Sequence, residues 1–153
     1  MLLQVGDALP HFEVLRDGKP ARLEAGPGGL LLYFMRTADC PLCRAHVKRL
    51  IAMQGDFARH GLKIAVVVPA PDSELGVAKS LGATFPVVQS RAAHEQAGFK
   101  RVLFELVQQS GTIVTDGAGR ITLLQRATNP GSAFPEDAVW ALLEAMPATA
   151  APA

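Results

Sequence analysis

Two apolar runs, joined by a segment of helical periodicity, constrain the fold of this chain more than any other feature. Residues 30–35 and 63–69 read as strands that are buried on both faces. Between them, apolar residues recur at helical spacing, namely Val47, Leu50, Ile51 and Ala58. Two buried strands connected by a helix form a parallel, right-handed βαβ unit. The pattern therefore predicts an α/β domain.

Specific residues mark the two ends of this central helix. Pro41 fits the first helical position, which makes Cys40 the N-cap residue. Gly61 follows a basic pair and is a typical C-terminal signal. We therefore expect a helix that begins at Pro41 and ends before Gly61.

Weaker signals predict the elements around this unit. They are a hairpin over residues 12–24, a helix over 72–81, a hairpin over 111–124 and a last helix over 135–146. Asp72 or Ser73 would cap the first of these helices, and Gly82 would end it.

The order of these elements predicts an α/β, thioredoxin-like fold. Its central mixed sheet would be flanked by helices and preceded by an N-terminal β extension. We expect a single domain over residues 1–146 and a disordered Ala/Pro-rich tail over 147–153.

Composition excludes several classes of function. With 153 residues, of which 49% are hydrophobic and 19% charged, the chain can bury a core. The formal net charge is +1 and the basic residues are scattered, so neither nucleic acid nor a membrane is an expected partner. The N-terminus lacks the basic region and long apolar stretch of a signal peptide, so we expect a cytoplasmic protein.

The chain has two cysteines, Cys40 and Cys43, at the predicted start of the central helix. Free N–H groups and the positive end of the helix dipole favour a thiolate at such a position. The spacing places the second sulfur about one turn away, close enough for a disulfide. This arrangement beside a βαβ unit indicates redox chemistry, with half of a zinc site or a chance pair as the alternatives.

Four motifs carry a resemblance to a known family. They are Val-Gly-Asp-x-x-Pro-x-Phe over residues 5–12, Phe-x-x-Thr-x-x-Cys over 34–40, Phe-Pro over 85–86, and Gly-Thr followed by Asp-x-x-Gly over 111–119. In this order they resemble the peroxiredoxin-like branch of the thioredoxin superfamily, of alkyl hydroperoxide reductase/thiol-specific antioxidant type. The resemblance extends from about residue 5 to residue 146.

Two departures from the family pattern concern the site. Tyr33 stands where the peroxidatic motif has proline, and Ser110 stands where the family has its active-site arginine. Arg36, Arg44 and Arg101 are the candidates for supplying the missing positive charge. The Cys-x-x-Cys spacing itself is that of thioredoxin rather than of the peroxidase motif.

The resemblance implies a thiol-based antioxidant oxidoreductase. Cys40 would attack a hydroperoxide, and Cys43 would resolve the resulting sulfenic acid to a disulfide. Thr37 would hydrogen-bond the peroxide or the thiolate, unless it has only a local hydrogen-bonding role at the end of the strand. We expect Cys40 to be the accessible thiol, and Cys43 to be the less exposed one. The alternative role for Cys43 is that of a buried core residue.

The implied partners are a hydroperoxide or disulfide substrate and a thioredoxin-like or low-molecular-weight thiol reductant. A homodimer is a further possible assembly. No cofactor is expected, and a metal held by Cys40, Cys43 and His46 would lack a fourth ligand. Two alternatives to the peroxidase remain. One is a thiol–disulfide oxidoreductase without significant peroxidase activity, and the other is a non-catalytic binding module.

Overall fold

The computed structural model describes residues 2–148. The strands are β1 Val14–Arg16, β2 Lys19–Ala21, β3 Gly29–Phe34, β4 Leu62–Pro69, β5 Val87–Ser90, β6 Arg101–Val102, β7 Val107–Gln108, β8 Ser110–Thr115 and β9 Ile121–Ala127. The helices are α1 Pro41–Ala52, α2 Gln54–Arg59, α3 Leu75–Leu81, α4 Ala93–Gln96 and α5 Glu136–Ala145, with a 3₁₀ turn at Pro130–Ser132.

A seven-stranded mixed sheet has the order β2-β1-β5-β4-β3-β8-β9. The strand β3 is parallel to β4, from Leu30 opposite Lys63 to Phe34 opposite Val67. On its other edge β3 is antiparallel to β8. The hairpin β1–β2 extends the sheet beyond β5 as the predicted N-terminal extension. The predicted fold class and the central βαβ unit are confirmed.

Alternating side chains of β3 divide the core between the two faces of the sheet. Leu31, Tyr33 and Met35 face a core that includes residues of α1, α3 and α5. On the opposite face, Phe34 packs in a second core that includes Phe99 and residues of α4. Every residue of β3 is buried, which explains why its sequence is continuously apolar.

The central helix differs from its prediction because it is interrupted. Helix α1 ends at Ala52, Met53 has φ −93° and ψ 0°, and α2 begins at Gln54. Met53 and Phe57 are both buried in the first core, whereas the predicted Ala58 is exposed. The break therefore turns Met53 and Phe57 toward the sheet. The low helix propensity of Gly55 favours a break at this point.

The second predicted helix is also shorter than expected. Helix α3 begins at Leu75 after Glu74, and Gly82 ends it with a φ of 69°. Asp72 does not cap this helix, because its side chain accepts a hydrogen bond from the Ala38 N–H at 2.9 Å. The hairpin β8–β9 and the last helix match their predictions.

Residues 149–153 of the predicted tail lie outside the described residues, so its disorder stays a prediction. No helix within residues 2–148 combines the length and apolar character needed to cross a membrane.

A buried histidine lies in the second core beneath the end of β3. The His94 side chain is buried, and its Nε2 donates a hydrogen bond to the Met35 carbonyl at 2.7 Å. The ring packs edge-on against Phe34 with 5.1 Å between centroids. Burial, opposed in part by this hydrogen bond, lowers the pKa of His94 from 6.5 to about 4.

This histidine makes the free energy of unfolding depend on pH. The unfolded chain binds a proton on His94 below pH 6.5, whereas the folded chain does so only below about pH 4. Stability is therefore complete above pH 6.5 and falls as the pH decreases to 4, by about 3 kcal/mol for this group. Urea unfolding of wild type and His94→Gln at pH 7 and pH 4 should show a smaller decrease in the variant.

The control for this measurement is His60→Gln, which replaces a half-buried histidine at the end of α2. It should show the wild-type decrease. Equal decreases in the free energy of unfolding of wild type and His94→Gln would contradict the assignment of this pH dependence to His94.

Candidate active site

The turn from β3 into α1 positions the two thiols. Hydrogen bonds hold the middle of this turn, residues 35–40, from both sides. The Ala38 N–H donates to Asp72, and the Ala38 carbonyl accepts from Nη1 of Arg44 at 2.9 Å. Cys40 is extended, with φ −60° and ψ 116°, and forms the N-cap of α1. Pro41 occupies the first helical position, as predicted from the sequence.

Backbone N–H groups donate to both sulfur atoms. The Cys43 N–H donates to Sγ of Cys40 at 3.4 Å, which is the N-cap hydrogen bond of the helix. The Arg36 N–H donates to Sγ of Cys43, also at 3.4 Å. The end of β3 and the first turn of α1 are thus joined through the sulfur atoms themselves.

The structure corrects the expected exposure of Cys40. Cys40 is 2% exposed and Cys43 is fully buried, and both belong to the first hydrophobic core. A capping residue after a loop is usually more open, but the 35–40 turn folds back over α1 here because Arg44 and Asp72 hold Ala38. Only a small oxidant can reach the Cys40 sulfur in this conformation. A larger reactant requires a movement of the turn.

Cys43 lies in surroundings that disfavour its thiolate. Burial, followed by the hydrogen bond with Cys40, raises the pKa of Cys43 to about 12. The Arg36 N–H, which donates to the sulfur, and the nearby Tyr33 hydroxyl act in the opposite direction on this pKa. Cys43 is therefore protonated near neutral pH.

Tyr33 contributes a polar group to the buried side of this site. It is fully buried, and its hydroxyl lies 2.8 Å from Nδ1 of His46. The two rings meet edge-on with 5.6 Å between centroids, and Phe134 packs against both. The residue that departs from the family's proline thus connects Cys43 to a histidine on α1.

Thr37 is engaged by its neighbour rather than by a sulfur. Its hydroxyl donates to Oδ1 of Asp39 at 2.8 Å, which matches the local alternative considered for it. Thr37 also lines a cavity of about 170 Å³ together with Arg36 and Arg101. A role toward peroxide therefore stays a prediction, since it requires the hydroxyl to leave Asp39.

The three candidate arginines occupy different places. Arg36 and Arg101 line the cavity next to Thr37, and Nε of Arg36 is buried without a hydrogen-bond partner within residues 2–148. Arg44 instead hydrogen-bonds the Ala38 carbonyl and the Ser80 hydroxyl. Arg36 and Arg101 are the cations available to a ligand in this cavity.

Ser110 lies in the core rather than at the rim of the cavity. It is fully buried at the start of β8, and its hydroxyl has no hydrogen-bond partner among the described residues. Alternation along β8 places it on the face of Thr112 and Val114, which is the face of the first core. An arginine at this position would have to bury its guanidinium.

His46 does not join the cysteines in a cluster of metal-ligand type. The described part of the chain contains no group of three or more His, Cys, Asp or Glu side chains arranged to hold a metal ion. The His46 ring is instead bound to Tyr33 and half-buried against Phe134. Sequence reasoning missed this pairing, although a tyrosine in an otherwise apolar buried strand does signal a hydroxyl that needs a partner.

Several solved structures share this fold. Peroxidoxin BcpB from Mycobacterium tuberculosis has a TM-score of 0.76 at 21% identity, over 95% of this chain and 99% of that one. The thiol peroxidase from Chromobacterium violaceum has a TM-score of 0.71 at 21% identity, over 94% and 88%. A protein from Chlorobium tepidum, provisionally named thiol:disulfide interchange protein DsbE, has a TM-score of 0.70 at 18% identity, over 93% of this chain and 94% of that one.

At these identities the likeness shows the fold. A comparison with curated proteins finds no match. The sequence does match the AhpC/TSA family over residues 5–123, which is most of the chain and includes the 35–40 turn and both cysteines. The chain belongs to the AhpC/TSA family, and it is accordingly an oxidoreductase of the thiol peroxidase type.

Proposed function

We propose that this protein reduces hydroperoxides through Cys40 and resolves the product with Cys43. The observation that carries the proposal is the direct hydrogen bonding between the two residues at the start of α1. The Cys43 backbone nitrogen lies 3.4 Å from Sγ of Cys40, so the two residues are in contact in the first turn of the helix. The burial of Cys40 favours a small oxidant over a folded protein with a disulfide, because the latter needs more room.

The reaction proceeds in three steps. The Cys40 thiolate attacks one oxygen of the O–O bond, an alcohol or water leaves, and Cys40 becomes a sulfenic acid. The Cys43 sulfur then attacks Sγ of Cys40, and the hydroxyl group leaves as water. Two thiol groups, from one thioredoxin-like dithiol or from two molecules of a low-molecular-weight thiol, restore the two cysteines by exchange and form a disulfide themselves. A reducing cytoplasm would supply such thiols, and we propose it as the compartment.

A second candidate is thiol–disulfide exchange without significant peroxidase activity. The Cys-x-x-Cys spacing and the uncharged Ser110 favour it. The fold is also shared by the Chlorobium tepidum protein, whose provisional name states disulfide interchange. Stopped-flow oxidation of the reduced protein by hydrogen peroxide, by an organic hydroperoxide and by a small disulfide separates the two. Faster reaction with the disulfide would favour this second candidate.

Mild oxidation should convert the two thiols into one intramolecular disulfide. Mass spectrometry after one equivalent of hydrogen peroxide should show the loss of two hydrogens, with both cysteines resistant to alkylation. The Cys43→Ser variant should instead retain a sulfenic acid or a mixed disulfide at Cys40. Two free thiols after oxidation would mean that the pair is inert.

The two thiols should also differ in their reaction with alkylating reagents. Because burial raises the pKa of Cys43 to about 12, this residue holds its proton near neutral pH and alkylates slowly. Pulse alkylation of the reduced protein, followed by peptide mapping, should label Cys40 first. Preferential labelling of Cys43 would reverse the assigned roles.

Arg36 should supply the positive charge that Ser110 does not. It follows β3 directly, its N–H already donates to Cys43, and its side chain lines the Thr37 cavity. Removing a preorganised charge of this kind costs on the order of 10²-fold in rate. Arg36→Gln should therefore slow the oxidation of Cys40 by hydrogen peroxide by about that factor.

Two further variants complete this comparison. Arg16→Gln, which replaces an exposed arginine of β1, should react as wild type does. A large decrease in Arg101→Gln without one in Arg36→Gln would transfer the role to Arg101. Wild-type rates in both variants would contradict the assignment of the charge to this cavity.

A further inference from the structure

Tyr33 lies between the buried Cys43 and a half-buried histidine. Its side chain shares the first core with Cys43 and interacts with it electrostatically, and its hydroxyl lies 2.8 Å from Nδ1 of His46. Tyr33 is fully buried, whereas His46 is partly open to solvent. Tyr33 and Cys43 share this core with apolar residues that include Phe134 and Val47.

Cys43 needs a route for its proton because this proton must move during the proposed reaction. Burial keeps the thiol protonated near neutral pH, yet the sulfur must lose its proton to attack Cys40. When the disulfide is reduced, the same sulfur leaves as a thiolate and must regain a proton. Water has little access to it, because Cys43 is fully buried.

His46 has the properties of a proton acceptor at neutral pH. Burial lowers the pKa of His46 below its ordinary value, so the ring is neutral and Nδ1 can accept from the Tyr33 hydroxyl. The charged group that faces it from α5 is Glu136, which opposes the lowering. Glu136 is itself held by Arg49 of α1 at 2.7 Å and by Nε1 of Trp140 at 3.3 Å.

Tyr33 can transmit a proton without becoming a tyrosinate. Burial, and next the neighbouring Cys43, raise the pKa of Tyr33 far above its ordinary value, so the phenol stays neutral. A neutral hydroxyl can accept a proton from one neighbour while it passes its own to the other. The facing ionisable groups are Cys43, Cys40 and His46.

We propose that Tyr33 and His46 form a proton relay that serves Cys43. The proposal rests on the proposed function, since it requires a disulfide between Cys40 and Cys43. In the oxidative direction, the Cys43 proton passes to Tyr33 as the Tyr33 proton passes to Nδ1 of His46. The S–S bond forms, the S–O bond of the sulfenic acid breaks, and the hydroxide takes a proton from solvent to leave as water.

The reductive direction uses the relay in reverse. A reductant thiolate attacks Sγ of Cys40, the S–S bond breaks, and its electron pair stays on Cys43. His46 takes up a proton from solvent and passes one through Tyr33 to the Cys43 sulfur. A second reductant thiol then releases Cys40, as in ordinary exchange.

The test separates the two chemical steps by counting free thiols over time. Reduced protein is mixed with one equivalent of hydrogen peroxide, quenched with an alkylating reagent and analysed by mass spectrometry, between pH 5.5 and pH 9. Loss of the first thiol reports oxidation of Cys40, and loss of the second reports attack by Cys43. A small aromatic disulfide as the oxidant isolates the second step if peroxide reacts slowly.

In wild type, the second step should become independent of pH above about pH 7, where His46 is neutral. It should slow at lower pH, as His46 takes up a proton. In Tyr33→Phe and in His46→Gln this step should be about 10²-fold slower at pH 7. It should then rise about tenfold per pH unit, because hydroxide must remove the proton directly. The double variant should be no slower than either single one, since both interrupt one path.

His60→Gln is the matched control, because it replaces another half-buried histidine and should keep the wild-type profile. Circular dichroism checks that Tyr33→Phe is folded. If Tyr33→Phe does not fold, His46→Gln, which changes a partly exposed position, tests the relay alone.

Two kinds of failure are distinguishable. If wild type forms no Cys40–Cys43 disulfide with either oxidant, the proposed function and the relay are both wrong. If wild type forms it and the variants match its rate, the relay is wrong and the proposed function stands. A decrease by the same factor at every pH would also overturn the relay, because it indicates a structural effect.

Discussion

The strand β3 is the constraint on which the rest of the structure depends. It is hydrogen-bonded to β4 on one edge and to β8 on the other, and all of its residues are buried. One face of the strand supports α1 and α5 and the other supports α4. Because neither its position nor its register can shift without exposing a core, its end fixes where the 35–40 turn starts. The position of Cys40 follows from there.

Periodicity was sufficient to predict the framework. The two apolar runs became β3 and β4, Pro41 and Cys40 marked the start of α1, and Gly82 marked the end of α3. These signals are local, since each depends on backbone geometry or on burial on both faces. The break at Met53 was not predicted, because the apolar spacing continues through it. The packing of Met53 and Phe57 in the first core decides where the helix breaks.

The site was predictable in its residues and less so in its surroundings. No local pattern indicated that Asp72 and Arg44 hold the turn closed. Asp72 is far from Ala38 in the chain, and Arg44 binds a backbone carbonyl that any residue would offer. The burial of Cys40 follows from these contacts. Tyr33 and Ser110 were identified only as departures from a family pattern. Tyr33 is bound to His46, and the Ser110 hydroxyl has no hydrogen-bond partner within residues 2–148; both places depend on which face of the sheet the residue occupies.

The location of both thiols inside the first core links redox chemistry to folding. For the proposed Cys40–Cys43 disulfide, a thermodynamic cycle applies: the difference in stability between the oxidised and reduced forms equals the difference in the free energy of thiol oxidation between folded and unfolded chains. Each residue that packs against the pair therefore influences its reduction potential. Val47, Leu50 and Leu143 share the first core with the two cysteines. The reduction potential of the proposed disulfide would thus depend on core packing as much as on the two sulfur atoms.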